Sequence, residues 1–292
     1  MKVTIAIPFY NAEPYLKLAI TSVLNQSFQD FELILIDDGS TDNSLEIARR
    51  FENDKVIVLS DSKNKGLPTR LNEIVDLANG DYIARMDADD FISKDRLQKQ
   101  YDFLEKNTDV DIVSTGVCSI DNNNKVIAYR LPRKVKSLNF NIHDGINGAT
   151  DIAHATIMAR KSWCCRNRYN ESARLMEDYQ LWIEAIANKD LNVGFINEPL
   201  YFYREESSIN YKKLIKAYRN QKLLIAEDFL DQISSKAYYS FVLKINIKIF
   251  ITMLFNKVGL LNTLLIIRNR NTPQDSSLLN KLQASVSDFT SK

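Results

Sequence analysis

Apolar and polar positions switch between two periods along the first two hundred residues, and the switches mark the elements. Val3–Phe9 is a β-branched, apolar run that predicts a buried strand. Tyr15, Leu16, Ala19, Ile20, Val23 and Leu24 then recur at helical spacing, with Asn11 as the expected cap and Pro14 near the first turn. Glu32–Ile36, Lys55–Leu59 and Tyr82–Met86 are the next short strands. Between them, helices are expected through Leu45, Ile47 and Ala48, and over Leu67–Ala78, with Gly80 as the second one's C-terminal cap. Ser93 is expected to cap a further helix that runs to about Lys106. Downstream, Asp111–Ser114, Lys125–Tyr129 and His154–Ala159 predict strands and Asp178–Ala187 a helix, followed by strands at Asn192–Ile196 and Leu200–Tyr203. From about Ile209 the spacing is mostly helical.

Strands alternating with helices predict parallel βαβ units in an α/β sheet. Polar residues cluster after the strands, where open α/β sheets bind ligands. The expected organisation is a main domain over 1–205, in two halves at about 1–115 and about 116–205. A basic, mainly helical C-terminal extension follows over 206–292.

Composition sharpens this picture at one point. The chain has 292 residues, 45% of them apolar, which suits one large domain or a domain with an appendage and excludes wholesale disorder. A net charge of +1 leaves no overall basic excess for nucleic acid. Yet residues 1–205 carry 25 basic and 31 acidic side chains, whereas residues 206–292 carry 13 basic and 6 acidic. That asymmetry predicts an extension that meets an anionic surface, with a solvated basic helical tail as the alternative; for its apolar stretch, a packed helical cap or an oligomer contact is the alternative to membrane attachment. Ile249–Ile267 is apolar but interrupted by Asn256, Lys257 and Asn262, short of the ~20 predominantly apolar residues of a spanning helix. With Lys244, Lys248, Lys257, Arg268 and Arg270 around it, an interfacial helix is expected. Three cysteines, two of them adjacent, point to a reducing compartment. Val3–Phe9, broken by Pro8, is expected to be a strand and not a secretory leader. The expected location is therefore cytoplasmic, peripheral on the inner face of the cell membrane.

Two acidic turns carry the candidate chemistry. Asp87-Ala88-Asp89-Asp90 sets carboxylates at alternating positions beyond a strand, an oxygen-only donor set suited to Mg²⁺ or Mn²⁺. His143 and His154 are the only histidines, and no zinc spacing occurs. Asp37-Asp38-Gly39-Ser40-Thr41-Asp42 ends another strand, where a carboxylate can accept a nucleobase N–H while Thr41 or Asp42 caps the next helix. Glu177-Asp178 lies at a helix start, where acids meet the helix dipole favourably.

Taken in order, Ile5-Ala6-Ile7-Pro8-Phe9-Tyr10-Asn11, Ser22–Phe28, Asp37–Asp42, the run from Asn64 to Asp90, and Met176–Trp182 resemble the family 2 glycosyltransferases of GT-A fold, over about residues 1–205. The resemblance implies a Rossmann-like mixed central sheet flanked by helices, in a GT-A catalytic domain over 1–205 with a nucleotide-binding half at about 1–115 and an acceptor half at about 116–205. It also implies an inverting transferase that uses a nucleotide-diphosphate sugar, a UDP-sugar by preference, with a divalent cation. Its acceptor would be a hydroxyl of a glycan or lipid-linked oligosaccharide in surface polysaccharide synthesis. By the same resemblance Pro8, Tyr10, Asp38 and Arg70 hold the nucleotide, Asp87 with Ala88 contacts the ribose or phosphate side, Asp89 binds the metal and Asp178 is the general base. Glu177 would orient Asp178 or meet the acceptor. His154 and Trp182 would line the acceptor pocket or pack in the core.

Arg204 could pair with the diphosphate or form a surface ion pair. The family often has a histidine shortly after this position; here Glu205-Glu206-Ser207-Ser208 follows. Gln180-Leu181-Trp182 lacks the Gln-x-x-Arg-Trp pattern of processive synthases, which favours single additions.

The chemistry agrees with these positions. Inversion needs a base on one face of the sugar and stabilisation of the departing diphosphate on the other. Two other classes compete: a sugar-nucleotide nucleotidyltransferase and a non-catalytic sugar-nucleotide binding scaffold. The first needs a Gly-rich basic loop near the start, and Ile7–Asn11 has no glycine. The second would keep donor affinity but show no turnover dependent on Asp178. A dinucleotide-binding dehydrogenase is disfavoured because no Gly-x-Gly-x-x-Gly occurs.

Overall fold

The computed structural model describes residues 1–133, 136–137, 139–173, 175–205, 210–261, 263 and 274–290. The first half alternates β1 (Val3–Phe9), α1 (Leu16–Leu24), β2 (Phe31–Asp37), α2 (Ser44–Arg49), β3 (Val56–Ser60), α3 (Leu67–Leu77), β4 (Tyr82–Arg85), β5 (Phe91–Ile92) and α4 (Arg96–Lys106). Then come β6 (Ile112–Ile120), β7 (Val126–Arg130), β8 (Lys136–Ser137), α5 (Ile142–Ile146), β9 (Met158–Arg160), α6 (Lys161–Arg166), α7 (Glu177–Ala187) and β10 (Val193–Arg204). Three longer helices close the chain: α8 (Tyr211–Asp228), α9 (Ser235–Lys257) and α10 (Ser276–Thr290).

The strands form one mixed sheet in the order β3-β2-β1-β4-β9-β6-β10-β5, with β7 on β6 and β8 on β10. β1 lies parallel between β2 and β4. Every residue of β1 is buried because helices cover both faces of the sheet. Val3, Ile5, Ile7 and Phe9 join Leu16, Ile20 and Val23 of α1. Ala6, on the other face, meets Leu71, Ile74 and Val75 of α3. A strand buried on both faces needs no polar alternation, which is why this run stands out as unbroken apolar sequence.

Several expectations change at the element ends. Asn11 does not cap α1, which starts at Leu16; it adopts φ 49 and its Oδ1 accepts from Thr41 N at 2.8 Å, tying two loops together. Ser93 is not the cap of α4, whose preceding residue is Asp95. Gly80 is not a helix cap either: a Cβ there would come within 2.5 Å of the Thr4 nitrogen, so it is glycine for close approach to β1. The strand expected at His154–Ala159 divides into a 3-10 turn, His154–Thr156, and β9. The two strands expected after residue 191 are one, β10, with register shifts around Pro199. Residue 115 falls inside β6, so the sheet runs unbroken between the two expected halves.

The C-terminal helices divide in two. α8 and α9 pack as a pair on α5 and α7, burying Ile146, Ile183, Leu224, Ile225, Phe241 and Ile245 together. α10 instead returns to the sheet, where Leu282 and Val286 enter the main core and Phe289 stacks on Phe91 at 5.7 Å. The apolar stretch expected over Ile249–Ile267 does not form one helix, because α9 ends at Lys257 and Gly259 takes φ +71. Asn262, residues 264–267, Arg268 and Arg270 lie outside the described residues, as do Glu206, Ser207, Ser208 and Ile209.

Candidate active site

Both acidic turns leave the same end of the sheet, on either side of β1. Neighbouring strands are about 4.8 Å apart, which sets β2 and β4 roughly 10 Å from each other.

On the β2 side, Asp37 is structural: it accepts from Ser40 N and Ser60 Oγ at 2.9 and 2.8 Å. Asp38, expected to meet the nucleotide, is nearly buried, and its Oδ1 accepts from Lys65 N at 2.8 Å and from Arg70 Nε at 2.9 Å. Gly66 N lies 3.1 Å from both of its oxygens. Arg70 is itself buried and also donates to Glu73, Asp61 and the Lys63 carbonyl. Burial works against its charge, but Asp61, Glu73 and Asp38 together raise its pKa. Gly39 has φ +75, and a Cβ there would sit 2.9 Å from Asn64 N, so the two loops touch only because a glycine is present. Pro8 is buried in β1 opposite Ile36, and Tyr10, exposed, follows the strand beside this turn.

On the β4 side the three acids have separate fates. Asp87 accepts from Arg85 Nη2 at 2.6 Å, and its own amide donates to the Tyr201 hydroxyl at 3.0 Å. Ala88 is buried. Asp89 is half-buried, with its carbonyl held by Arg204 Nε at 2.9 Å. Asp90 is turned inward, 1% exposed, and accepts from Arg204 N at 2.6 Å. Burial, followed by the charges of Asp87 and Asp89, raises its carboxyl well above the ordinary range. Asp90 therefore belongs to the core, apart from the alternating Asp87 and Asp89.

Arg204 is buried rather than at the surface. Besides the Asp89 carbonyl, its guanidinium donates to the Asp121 carbonyl at 2.8 Å and to Asn124 Oδ1 at 2.7 Å. It lies 4.3 Å from the Tyr15 ring centroid. In this geometry it braces the Asp89 turn. Glu205, in the region where the family often has histidine, is buried and accepts from Ser119 and Arg130.

Glu177 and Asp178 open α7, and Asp178 Oδ1 accepts from Tyr179 N at 2.7 Å. Burial, then the neighbouring Asp178 charge, raises the Glu177 carboxyl above the usual carboxylate value. His154 shares a 2.7 Å hydrogen bond with Tyr169 Oη, and burial and the Arg85 charge hold its imidazole well below 6.5. Trp182 is 5% exposed, edge-on to His154 and stacked on Trp163 at 6.1 Å, so it shapes His154 from the core side.

Arg85 is a site residue absent from the sequence-based expectations. Its buried guanidinium pairs with Asp87 and feels the charge of Asp178 and the Tyr169 and Tyr201 rings. Burial opposes its charge, and these partners more than offset that, Asp87 foremost. It places a buried cation at the β4 turn. A signal for it exists in the chain: an arginine inside a short, otherwise apolar strand is rarely there without a partner. Arg96, fully buried on α4, is a second such residue; it donates to the carbonyls of Arg85 and Ile157 and stitches β4 to the segment before β9. Asn72 completes the frame by exchanging hydrogen bonds with the Tyr169 backbone, which clamps α3 to the loop before α7.

Among the described residues no group of three or more His, Cys, Asp or Glu side chains is gathered around one point. That fits a Mg²⁺- or Mn²⁺-type site, in which one or two carboxylates bind and substrate phosphates complete the shell. Asp89, half-buried in this turn, is the candidate carboxylate for such a site.

The family model described as Glycosyl transferase family 2 matches residues 4–164. The putative glycosyltransferase EpsE of Bacillus subtilis is 36% identical over 217 residues, covering 70% of this chain and 74% of its own. Uncharacterized glycosyltransferase MJ1057 of Methanocaldococcus jannaschii is 31% identical over 218 residues, covering 73% of this chain and 74% of its own. Among solved structures, S. aureus TarS 1–349 in complex with UDP aligns with a TM-score of 0.60 at 19% identity, covering 83% of this chain and 71% of its own. Mannosyltransferase PcManGT from Pyrobaculum calidifontis, in complex with GDP-Man and Mn²⁺, aligns over 100% of this chain and 86% of its own with a TM-score of 0.57 at 17% identity. These structural likenesses show the fold, a GT-A sheet with flanking helices.

Proposed function

The chain belongs to glycosyl transferase family 2, and from that premise we propose that it transfers a sugar, with inversion, from a nucleoside-diphosphate sugar to a hydroxyl of a glycan or lipid-linked acceptor. The observation that carries this reading is the pairing of two acidic turns on either side of β1, the first held by Arg70 and the second by Arg85. UDP is the proposed nucleotide; the TarS structure contains UDP, and PcManGT contains GDP-Man, so both bases enter the test.

In this reading Asp38 accepts the nucleobase N–H, and Arg70 and the Lys65 and Gly66 amides hold its carboxylate in place. Tyr10 offers the base a flat apolar face. Asp87, fixed by Arg85, meets the ribose or phosphate side, and Asp89 holds the divalent cation. The cation, when bound, offsets the charge that grows on the departing diphosphate. Asp178 takes the proton from the acceptor hydroxyl as the oxygen attacks the anomeric carbon. No second carboxylate has to protonate the leaving group, because a nucleoside diphosphate departs as an anion. His154, neutral and held by Tyr169 and Trp182, shapes the acceptor side, with Glu177 beside the base. A surface-polysaccharide precursor is the proposed acceptor class.

The test combines thermal shift with turnover. UDP-sugars or GDP-sugars with Mn²⁺ should raise the melting temperature by linkage, and Asp89→Ala should abolish the Mn²⁺-dependent part. Asp178→Asn should keep that shift while transfer falls by roughly 10²–10⁴-fold. Full turnover in Asp178→Asn would remove the base assignment, and donor binding without any turnover in the parent chain would favour the scaffold reading.

A further inference from the structure

α9 carries a face that the rest of the described chain leaves in solvent. Phe241 and Ile245 on one side pack into the cluster formed with α5, α7 and α8. On the opposite side Tyr239, Leu243, Ile247, Phe250, Leu254 and Val258 follow one another at steps of three or four residues. All six are exposed, Leu243 by 61% and Phe250 by 66%. This line extends for about 28 Å at the helical rise. α9 holds four lysines and no acid. Lys244 and Lys248 run along one margin of the apolar line, where they border a cavity of about 210 Å³ shared with Asn147, Tyr179 and Gln221. Lys244 Nζ donates to Asn147 Oδ1 at 3.1 Å, and Lys248 lies 5.9 Å from the Tyr218 ring.

α9 is long and apolar enough to cross a membrane by length and composition alone. Its packing argues otherwise: one side is joined to α7 and α8 through a shared core, which a helix alone in lipid would forfeit. A helix with one face buried in protein, one apolar face open and lysines between them has the form of an interfacial element.

We infer that the open face of α9 docks on an anionic lipid surface, its apolar line entering the acyl boundary while Lys244, Lys248 and their cavity meet lipid phosphates. Charge selects this occupant over a second copy. The acid-free α9 lies beside α8, which adds Lys212, Lys213, Lys216, Arg219 and Lys222, and two such basic faces would repel each other. Docking has a consequence for chemistry, and only that consequence rests on the proposed role of Asp178. α9 shares its core with Met176 and Ile183, so the docked face lies directly behind the helix that begins at Glu177. A hydroxyl carried on a lipid would then be presented at a fixed height relative to α7.

The test uses the full chain with vesicles of phosphatidylcholine, with and without phosphatidylglycerol, at low salt. The chain should sediment with the anionic vesicles and remain in solution with the neutral ones. Lys248→Gln should weaken binding by roughly fivefold, the effect of one lysine near such a surface. Phe250→Trp, a change at an exposed position, should give fluorescence that brominated acyl chains quench. The double change Phe250→Asp and Leu254→Asp should abolish sedimentation while the melting temperature and the donor-induced thermal shift stay unchanged. Absence of binding to anionic vesicles overturns the inference, and adsorption without quenching of the Phe250→Trp signal overturns insertion of the apolar line. A dimer in solution that the double change dissociates would assign the face to a second copy instead. Because donor binding is read separately, failure of docking and failure of the transferase reading give different results.

Discussion

The Asp38 turn and the Asp87–Asp90 turn look alike as strings of acids, yet the protein treats their charges in opposite ways. Around Asp38 the compensation is local and complete, from a buried arginine and two backbone amides that converge on one carboxylate. The second turn disperses its acids: Asp87 goes to Arg85, Asp90 is buried beneath the Arg204 amide, and Asp89 stays at the half-buried rim with its carbonyl braced. A carboxylate held in place through Oδ1, with acceptor capacity left on Oδ2, suits recognition of a neutral N–H, where position matters more than charge. Turning Asp90 into the core, apart from Asp87 and Asp89, avoids the repulsion that three converging acids would create.

That contrast can be broken most severely at Arg70. Arg70→Ala leaves Asp38, Asp61 and Glu73 without their shared cation, and removing one partner of a buried pair costs about 3–5 kcal/mol. Urea unfolding should show that loss, together with loss of nucleotide binding. Next comes Arg204→Ala, which removes charge-assisted hydrogen bonds to the Asp89 and Asp121 carbonyls. A stability loss of about 2–3 kcal/mol is expected, with the Mn²⁺ dependence of donor binding weakened more than metal-free nucleotide binding. Equal weakening of both would show that the brace does not act through Asp89.

The smallest effect is expected at Glu177, outside both turns. Burial and Asp178 raise its carboxyl above 4.5, so the folded chain binds that proton more tightly than the unfolded chain. The resulting stability is present in full below 4.5 and is lost as pH rises through the folded value. Glu177→Gln should therefore melt ~2–4 °C higher than the parent at pH 7.5, with the gap closing below pH 4.5. A gap that persists in acid would show that the gain comes from packing and not from ionisation.

Much of the nucleotide side is legible in the amino-acid order. β1, β2, β3 and β4 match their expected positions to within about one residue, because parallel strands covered on both faces appear as unbroken apolar runs. The polar ends of those strands point directly to Asp38 and Asp87–Asp90. The acceptor side is harder to read. β10 resembles two strands because Pro199 interrupts its pattern, and His154 sits in a short turn that has no period to detect. Arg85 shows only as an arginine within an apolar strand, and Arg96 carries no local signature of its role, because its partners, such as the Ile157 carbonyl, are distant in sequence. The return of α10 to the sheet is likewise hidden, since an amphipathic helix does not say which surface its apolar side will meet.

On its own, the order of residues determined the alternation of strands and helices, the family, the two acidic strand ends and the uneven distribution of charge. Only the folded chain decided which acid is braced, which is buried and which remains at the rim, and which side of α9 is left open. The reason is that periodicity and local preference act between residues a few positions apart, whereas burial and charge pairing act through space. The partners of Asp38, Asp90 and Phe241 are chosen by where the sheet and helices bring distant segments together.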